Sequence, residues 1–113
     1  MAQAIEQREH PRVQQPLKVS CMADYRVFEA RAENISASGA MLECSEKYMP
    51  GEELLLVFNA YCARRFLTIP AEVVWSDSRK IDNGIVQYKM GVRYLYVSPE
   101  HLQIFKNFMA VCH

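Results

Sequence analysis

Along the chain, apolar and polar residues alternate in short runs separated by turn-forming clusters, the pattern of half-buried β-strands. Leu17, Val19 and Cys21 alternate with Lys18 and Ser20. Phe28, Ala30 and Ala32 then face one way, and Glu29, Arg31 and Glu33 the other. Small polar residues from Asn34 to Gly39 interrupt the alternation before Ala40 to Cys44 resumes it. That break predicts a tight connection between two antiparallel strands. Pro50-Gly51 marks the next turn, and Leu54 to Phe58 is continuously apolar, which predicts a strand covered on both faces. From Arg65 to Trp75 the period of two returns, placing Leu67, Ile69, Ala71, Val73 and Trp75 on one side. Pro70 has no N–H to give a ladder, so it predicts an edge position or a bulge. Asp82-Asn83-Gly84 signals a hairpin, because Asn and Gly tolerate positive φ. Val86, Tyr88, Met90, Val92 and Tyr94 then line one face of a long last strand.

The period changes at the end of the chain. Ser98-Pro99-Glu100 combines an N-cap, a first-turn proline and an early acid that suits the helix dipole. Leu102, Phe105, Met109 and Cys112, joined by Ile104 and Phe108, recur at helical spacing and predict a helix over residues 98–112. Six strands and one closing helix, without repeats, predict an all-β fold: a six-stranded antiparallel β-barrel with a C-terminal α-helix. The expected organisation is a flexible arm over residues 1–12, poor in large apolar groups, followed by a single barrel domain over 13–113.

Composition narrows the possible functions. The 113 residues support one independent core. Their 13 basic and 13 acidic side chains give a net charge of zero, which argues against electrostatic binding of long nucleic acid. No apolar run approaches the roughly 20 residues that cross a bilayer, so no membrane insertion is expected. The polar first residues lack the apolar stretch of a signal peptide, which points to a cytoplasmic protein. Cys21, Cys44, Cys62 and Cys112 are scattered without a Cys-x-x-Cys pair, as buried thiols would be, and no metal site is expected. His10, His101 and His113 form no motif with a cysteine, serine or carboxylate at recognisable spacing. No catalytic residue is assigned, and the protein is not expected to be an enzyme.

Two short constellations stand outside the strand pattern. Arg8 and Arg12 are four residues apart, with Pro11 favouring extended geometry between them. Extended, four residues span on the order of 13 Å, enough for two guanidiniums to grip separate parts of one ligand. Arginine suits that role because its fork pairs with phosphate or a guanine edge and its flat face stacks on bases. In Asn34-Ile35-Ser36-Ala37-Ser38-Gly39, Asn34 and Ser36 project from one face and offer the donors and acceptors that match a purine edge. Gly39 there permits positive φ or a close backbone approach to a ligand. The same Asn, Ser and Gly also suit an ordinary hairpin turn.

In this order and on this framework, the two constellations resemble the PilZ domain, a bacterial receptor family for cyclic diguanylate. That family carries Arg-x-x-x-Arg on an N-terminal arm and (Asp/Asn)-x-Ser-x-x-Gly after the second strand. Arg8 and Arg12 match the first motif; Asn34, Ser36 and Gly39 match the second. The resemblance continues through Ala71-Glu72-Val73-Val74-Trp75, Gly91-Val92-Arg93-Tyr94 and the closing helix, and so covers nearly the whole chain. It implies a cytoplasmic, monomeric or homodimeric receptor for cyclic diguanylate (c-di-GMP) that needs no cofactor, reorders its arm on binding and signals to a downstream protein. Gln7 stands where many relatives have a further arginine that influences how many ligand molecules are held. Trp75 aligns with a tryptophan near the ligand in some relatives. An alternative within the family is an adaptor for pilus or flagellar machinery that binds proteins and no nucleotide.

Overall fold

The computed structural model describes residues 17–60 and 64–111. The expected arm over residues 1–12, with Arg8, His10 and Arg12, lies outside them, as do residues 13–16, Cys62, Cys112 and His113. Six strands follow in order: β1 (Leu17–Ala23), β2 (Arg26–Glu33), β3 (Gly39–Cys44), β4 (Glu53–Ala60), β5 (Arg65–Lys80) and β6 (Val86–Tyr94). One helix, α1 (Pro99–Val111), ends the described chain. All pairings are antiparallel and close a barrel in the order β1-β2-β3-β6-β5-β4.

The alternation read from the sequence fills the barrel. Val19, Cys21, Ala30, Ala32, Leu42, Leu56, Phe58, Leu67, Ile69, Ala71, Val73, Met90 and Val92 are buried in one core. Ile35, from the β2–β3 connection, is fully buried among them. Helix α1 closes the barrel with Phe105, whose ring centroid lies 5.3 Å from that of Phe58 and 5.7 Å from that of Tyr94. Its first turn is capped as expected, the His101 N–H donating to Ser98 Oγ at 3.1 Å. Glu100 adds an ion pair to Arg65 at 3.1 Å.

Three expectations need correction. The apolar run Leu54–Phe58 is not covered on both faces: Leu54, Leu56 and Phe58 are buried, whereas Leu55 and Val57 on the outer face are half-buried. A closed barrel has no edge, yet Pro70 sits within β5 opposite Leu55. Its carbonyl accepts from the Leu95 N–H at 2.8 Å, just past the end of β6, and both polar groups of a residue in an antiparallel strand point to the same neighbour. The missing N–H therefore falls where the ladder has already ended. The bulge lies further on, between Val73 and Trp75: Val73 pairs with Val92 but Trp75 pairs with Gly91. The extra residue, Val74, turns Trp75 from the inward face to the outer one. The long last strand forms as expected; Val86 is exposed and Tyr88 half-buried on it, because β5 and β6 run past the barrel wall as a two-stranded hairpin. Its tip is the expected turn, with Asn83 and Gly84 at φ 72° and 74°.

Among the described residues, no helix is long and apolar enough to cross a membrane.

Candidate functional site

The β2–β3 connection is built by its own side chains. Asn34 leaves β2 with φ 52°, a conformation that Asn tolerates better than most residues, and its side chain is exposed. Ile35 then anchors the loop in the core. The Ser36 N–H donates to the Gly39 carbonyl at 2.9 Å. Ser36 Oγ accepts from the Ser38 and Gly39 N–H groups at 3.3 Å each and lies 3.2 Å from the Gly39 carbonyl oxygen, to which it donates. The hydroxyl thus organises the turn in the manner of a serine-nucleated turn. The Ser38 carbonyl accepts from the Tyr94 N–H at 2.9 Å, tying the loop to β6.

Gly39 has a different role from the one its sequence position suggests. Its φ is not positive, and the close approach comes from the neighbouring strand: a Cβ there would run into the Val92 carbonyl oxygen. Glycine lets β3 lie this tightly against β6 at the foot of the loop.

Two cross-strand rows on the outer face continue from this loop. Gly39 pairs with Arg93, and Arg93 with Glu72. Met41 pairs with Gly91, and Gly91 with Trp75. Asn34, Ser36, Ser38 and Gly39 together with Trp75, Gly91 and Arg93 line an open cleft of about 380 Å³. The structure therefore gathers the three described members of the second motif into one concavity with an indole and a guanidinium. Trp75 is 43% exposed and occupies the space above Gly91 that a Cβ would fill. Arg93 reaches across the sheet to the Glu72 carboxylate at 2.5 Å. Strand alternation puts Arg93 on the face of β6 opposite Val92 and Tyr94, but it does not reveal the bulge that presents Trp75 or the Gly91 that seats it.

The first described residue, Leu17, pairs with Ala32, one residue before the end of β2. Leu17, where β1 begins, thus lies at the same end of the barrel as Asn34. A separate cavity of about 310 Å³ lies between β2, β3 and the projecting hairpin, lined by Glu29, Glu43, Ile81 and Ile85 among others. Its carboxylates, and an Arg31 already 3.7 Å from Glu43, suit an anionic ligand poorly. Among the described residues, no group of three or more His, Cys, Asp or Glu could hold a metal ion.

Several solved structures share the fold of this closed antiparallel barrel. One is K. pneumonia MrkH in its apo state, with a TM-score of 0.71 and 12% identity, covering 89% of this chain and 49% of that one. The Bacillus subtilis inhibitor of motility MotI/DgrA gives 0.69 and 19%, covering 91% and 49%. The PilZ domain of YcgR from Escherichia coli, solved with c-di-GMP, gives 0.66 and 19%, covering 92% and 90%. The chain thus spans about half the length of the first two and nearly all of the third. No curated protein sequence matches it. The family model for the PilZ domain matches residues 6–110, and the chain belongs to that family.

Proposed function

We propose that this protein is a receptor for c-di-GMP, held in the outer-face cleft by Asn34, Ser36 and Gly39 and gripped from above by Arg8 and Arg12. The observation that carries this reading is the convergence of the β2–β3 loop with Trp75 and Arg93 at the barrel end where β1 begins. At about 380 Å³ the cleft lies near the low end of small-molecule sites, so a dinucleotide there needs a second wall. The arm is suited to supply it. Arg12 precedes Leu17 by five residues, and an extended chain of that length reaches about 17 Å.

The chemistry is complementary. Asn34 offers a donor and an acceptor to a guanine edge, while Ser36 keeps the loop in the shape that presents it. Trp75 supplies an aromatic face for a base. Arginines pair with the two phosphates and stack on the bases. A micromolar affinity corresponds to about 8 kcal/mol, and each charge-assisted hydrogen bond contributes roughly 1.5–3 kcal/mol. Four or five contacts therefore suffice after the cost of ordering the arm. These groups bind and orient; the reading requires no bond-making step. Binding would draw residues 1–12 across the cleft, and the reordered arm would be the surface that a downstream protein reads.

Calorimetry with purified protein tests the reading. C-di-GMP should bind, GTP and GMP should compete far more weakly, and Arg8→Ala or Arg12→Ala should each weaken binding at least about tenfold. Amide exchange at residues 8–13 should slow at saturating ligand. Equal affinity for GTP would overturn this reading, and no binding of c-di-GMP would replace it with that of a protein-binding adaptor.

A further inference from the structure

Arg93 occupies an asymmetric position. Its cross-strand neighbour on β3 is Gly39, which has no side chain, and its neighbour on β5 is Glu72, which has a carboxylate. The guanidinium leans to the Glu72 side and pairs with it. On the Gly39 side lies the open cleft, which Arg93 itself helps to line beside Asn34 and Ser36. Both partners keep water contact, Arg93 at 58% and Glu72 at 27% side-chain exposure. A pair this exposed holds its partners weakly. A phosphodiester in the cleft would offer Arg93 a bidentate anionic partner on the side of its own cleft wall.

We propose that Arg93 is a further phosphate-contacting residue of the cleft and that Glu72 is its latch, holding the guanidinium aside until an anionic ligand displaces the carboxylate. The inference rests on the c-di-GMP reading above and adds two residues outside both sequence motifs. Glu72 lowers affinity by competing for Arg93, so removing its charge strengthens binding, which is unusual for a residue in contact with a binding site. The gain must pass through Arg93. A carboxylate acting only by its field on a dianion would give the same gain whether or not the arginine is present.

The experiment is a double-mutant cycle measured by calorimetry with c-di-GMP on the full chain, with circular dichroism to establish folding. Arg93→Ala should weaken binding about tenfold or more. Glu72→Gln should tighten it roughly threefold, the share of an exposed pair that is no longer broken. In the Arg93→Ala background, Glu72→Gln should change nothing. Arg93→Gln replaces alanine if the latter perturbs folding. Unchanged affinity in Arg93→Ala, or an undiminished Glu72→Gln gain without the arginine, overturns the latch while wild-type binding upholds the receptor reading. Wild-type protein that takes no c-di-GMP overturns both.

Discussion

The indole of Trp75 lies over Gly91, filling the volume where any other residue would place its Cβ. Two separate features create this seat: the bulge at Val74, which turns Trp75 outward, and the missing side chain opposite. The floor of the cleft is therefore set by the absence of a side chain at Gly91.

Gly91→Ala should lift the indole out of that seat. Trp75 is the sole tryptophan, so its emission reports the change directly and should move to longer wavelength. The stability cost should be about 1 kcal/mol, the low end for overpacking, because a side chain at the surface gives way. Affinity for c-di-GMP should fall several-fold if the indole is a stacking platform. Unaltered emission would show that the indole has another resting place.

Gly39→Ala meets a harder obstacle, since the clash is with the Val92 carbonyl in the backbone of β6. It should cost about 2–3 kcal/mol in urea denaturation. Ser36→Ala removes only the hydroxyl that accepts from two loop amides and should cost about 1 kcal/mol. Both variants should bind ligand less well. Asn34→Ala, at an exposed position, should weaken binding with a far smaller change in melting temperature.

These contrasts show what a single sequence conveys. Barrel topology was legible because period-two runs and turn clusters are local signals, and Leu17 to Cys21 or Ser98 to Glu100 carry them without ambiguity. Leu55 and Val57 were misread because an apolar side chain half-covered on an outer wall looks the same in sequence as one in a core. Trp75 was misread because a bulge inserts one residue without changing composition, and every later residue then swaps faces. The Ser36–Gly39 turn could be located, but not what approaches Gly39, because that atom belongs to β6, more than fifty residues away. The Arg93–Glu72 pairing was hidden for the same reason.

Phe105 closes the barrel and, among the described side chains of α1, should be the most costly to remove. Fully buried and in contact with both Phe58 and Tyr94, it should cost about 3–5 kcal/mol on replacement by alanine. Thermal melting and far-ultraviolet circular dichroism would check this. A loss below about 1 kcal/mol would mean that α1 contributes little to the fold.

The buried acids predict how stability responds to alkali. Burial pushes the Cys21 thiol up to about 12, with the neighbouring Cys44 adding to the effect, and burial also raises Cys44 and the Tyr94 phenol. The Tyr94 hydroxyl is buried with no hydrogen-bond partner among the described residues, so nothing there would stabilise its charged form. In each case the folded protein holds its proton at a pH where the unfolded chain, titrating near 9 for thiols and 10 for phenols, has released it. The folded state then binds more protons, and stability falls as pH rises. Between about pH 9 and 12, Cys21 alone should contribute a slope of up to about 1.4 kcal/mol per pH unit. These groups should contribute no slope from pH 6 to 8, where they are protonated in both states. Urea denaturation across pH 7 to 11 measures this directly. Cys21→Ser, which replaces the thiol by a group that does not ionise, should flatten the alkaline fall whatever it costs at neutral pH. Equal slopes in variant and wild type would mean that water reaches the Cys21 sulfur, and that β1 does not seal the barrel at that position.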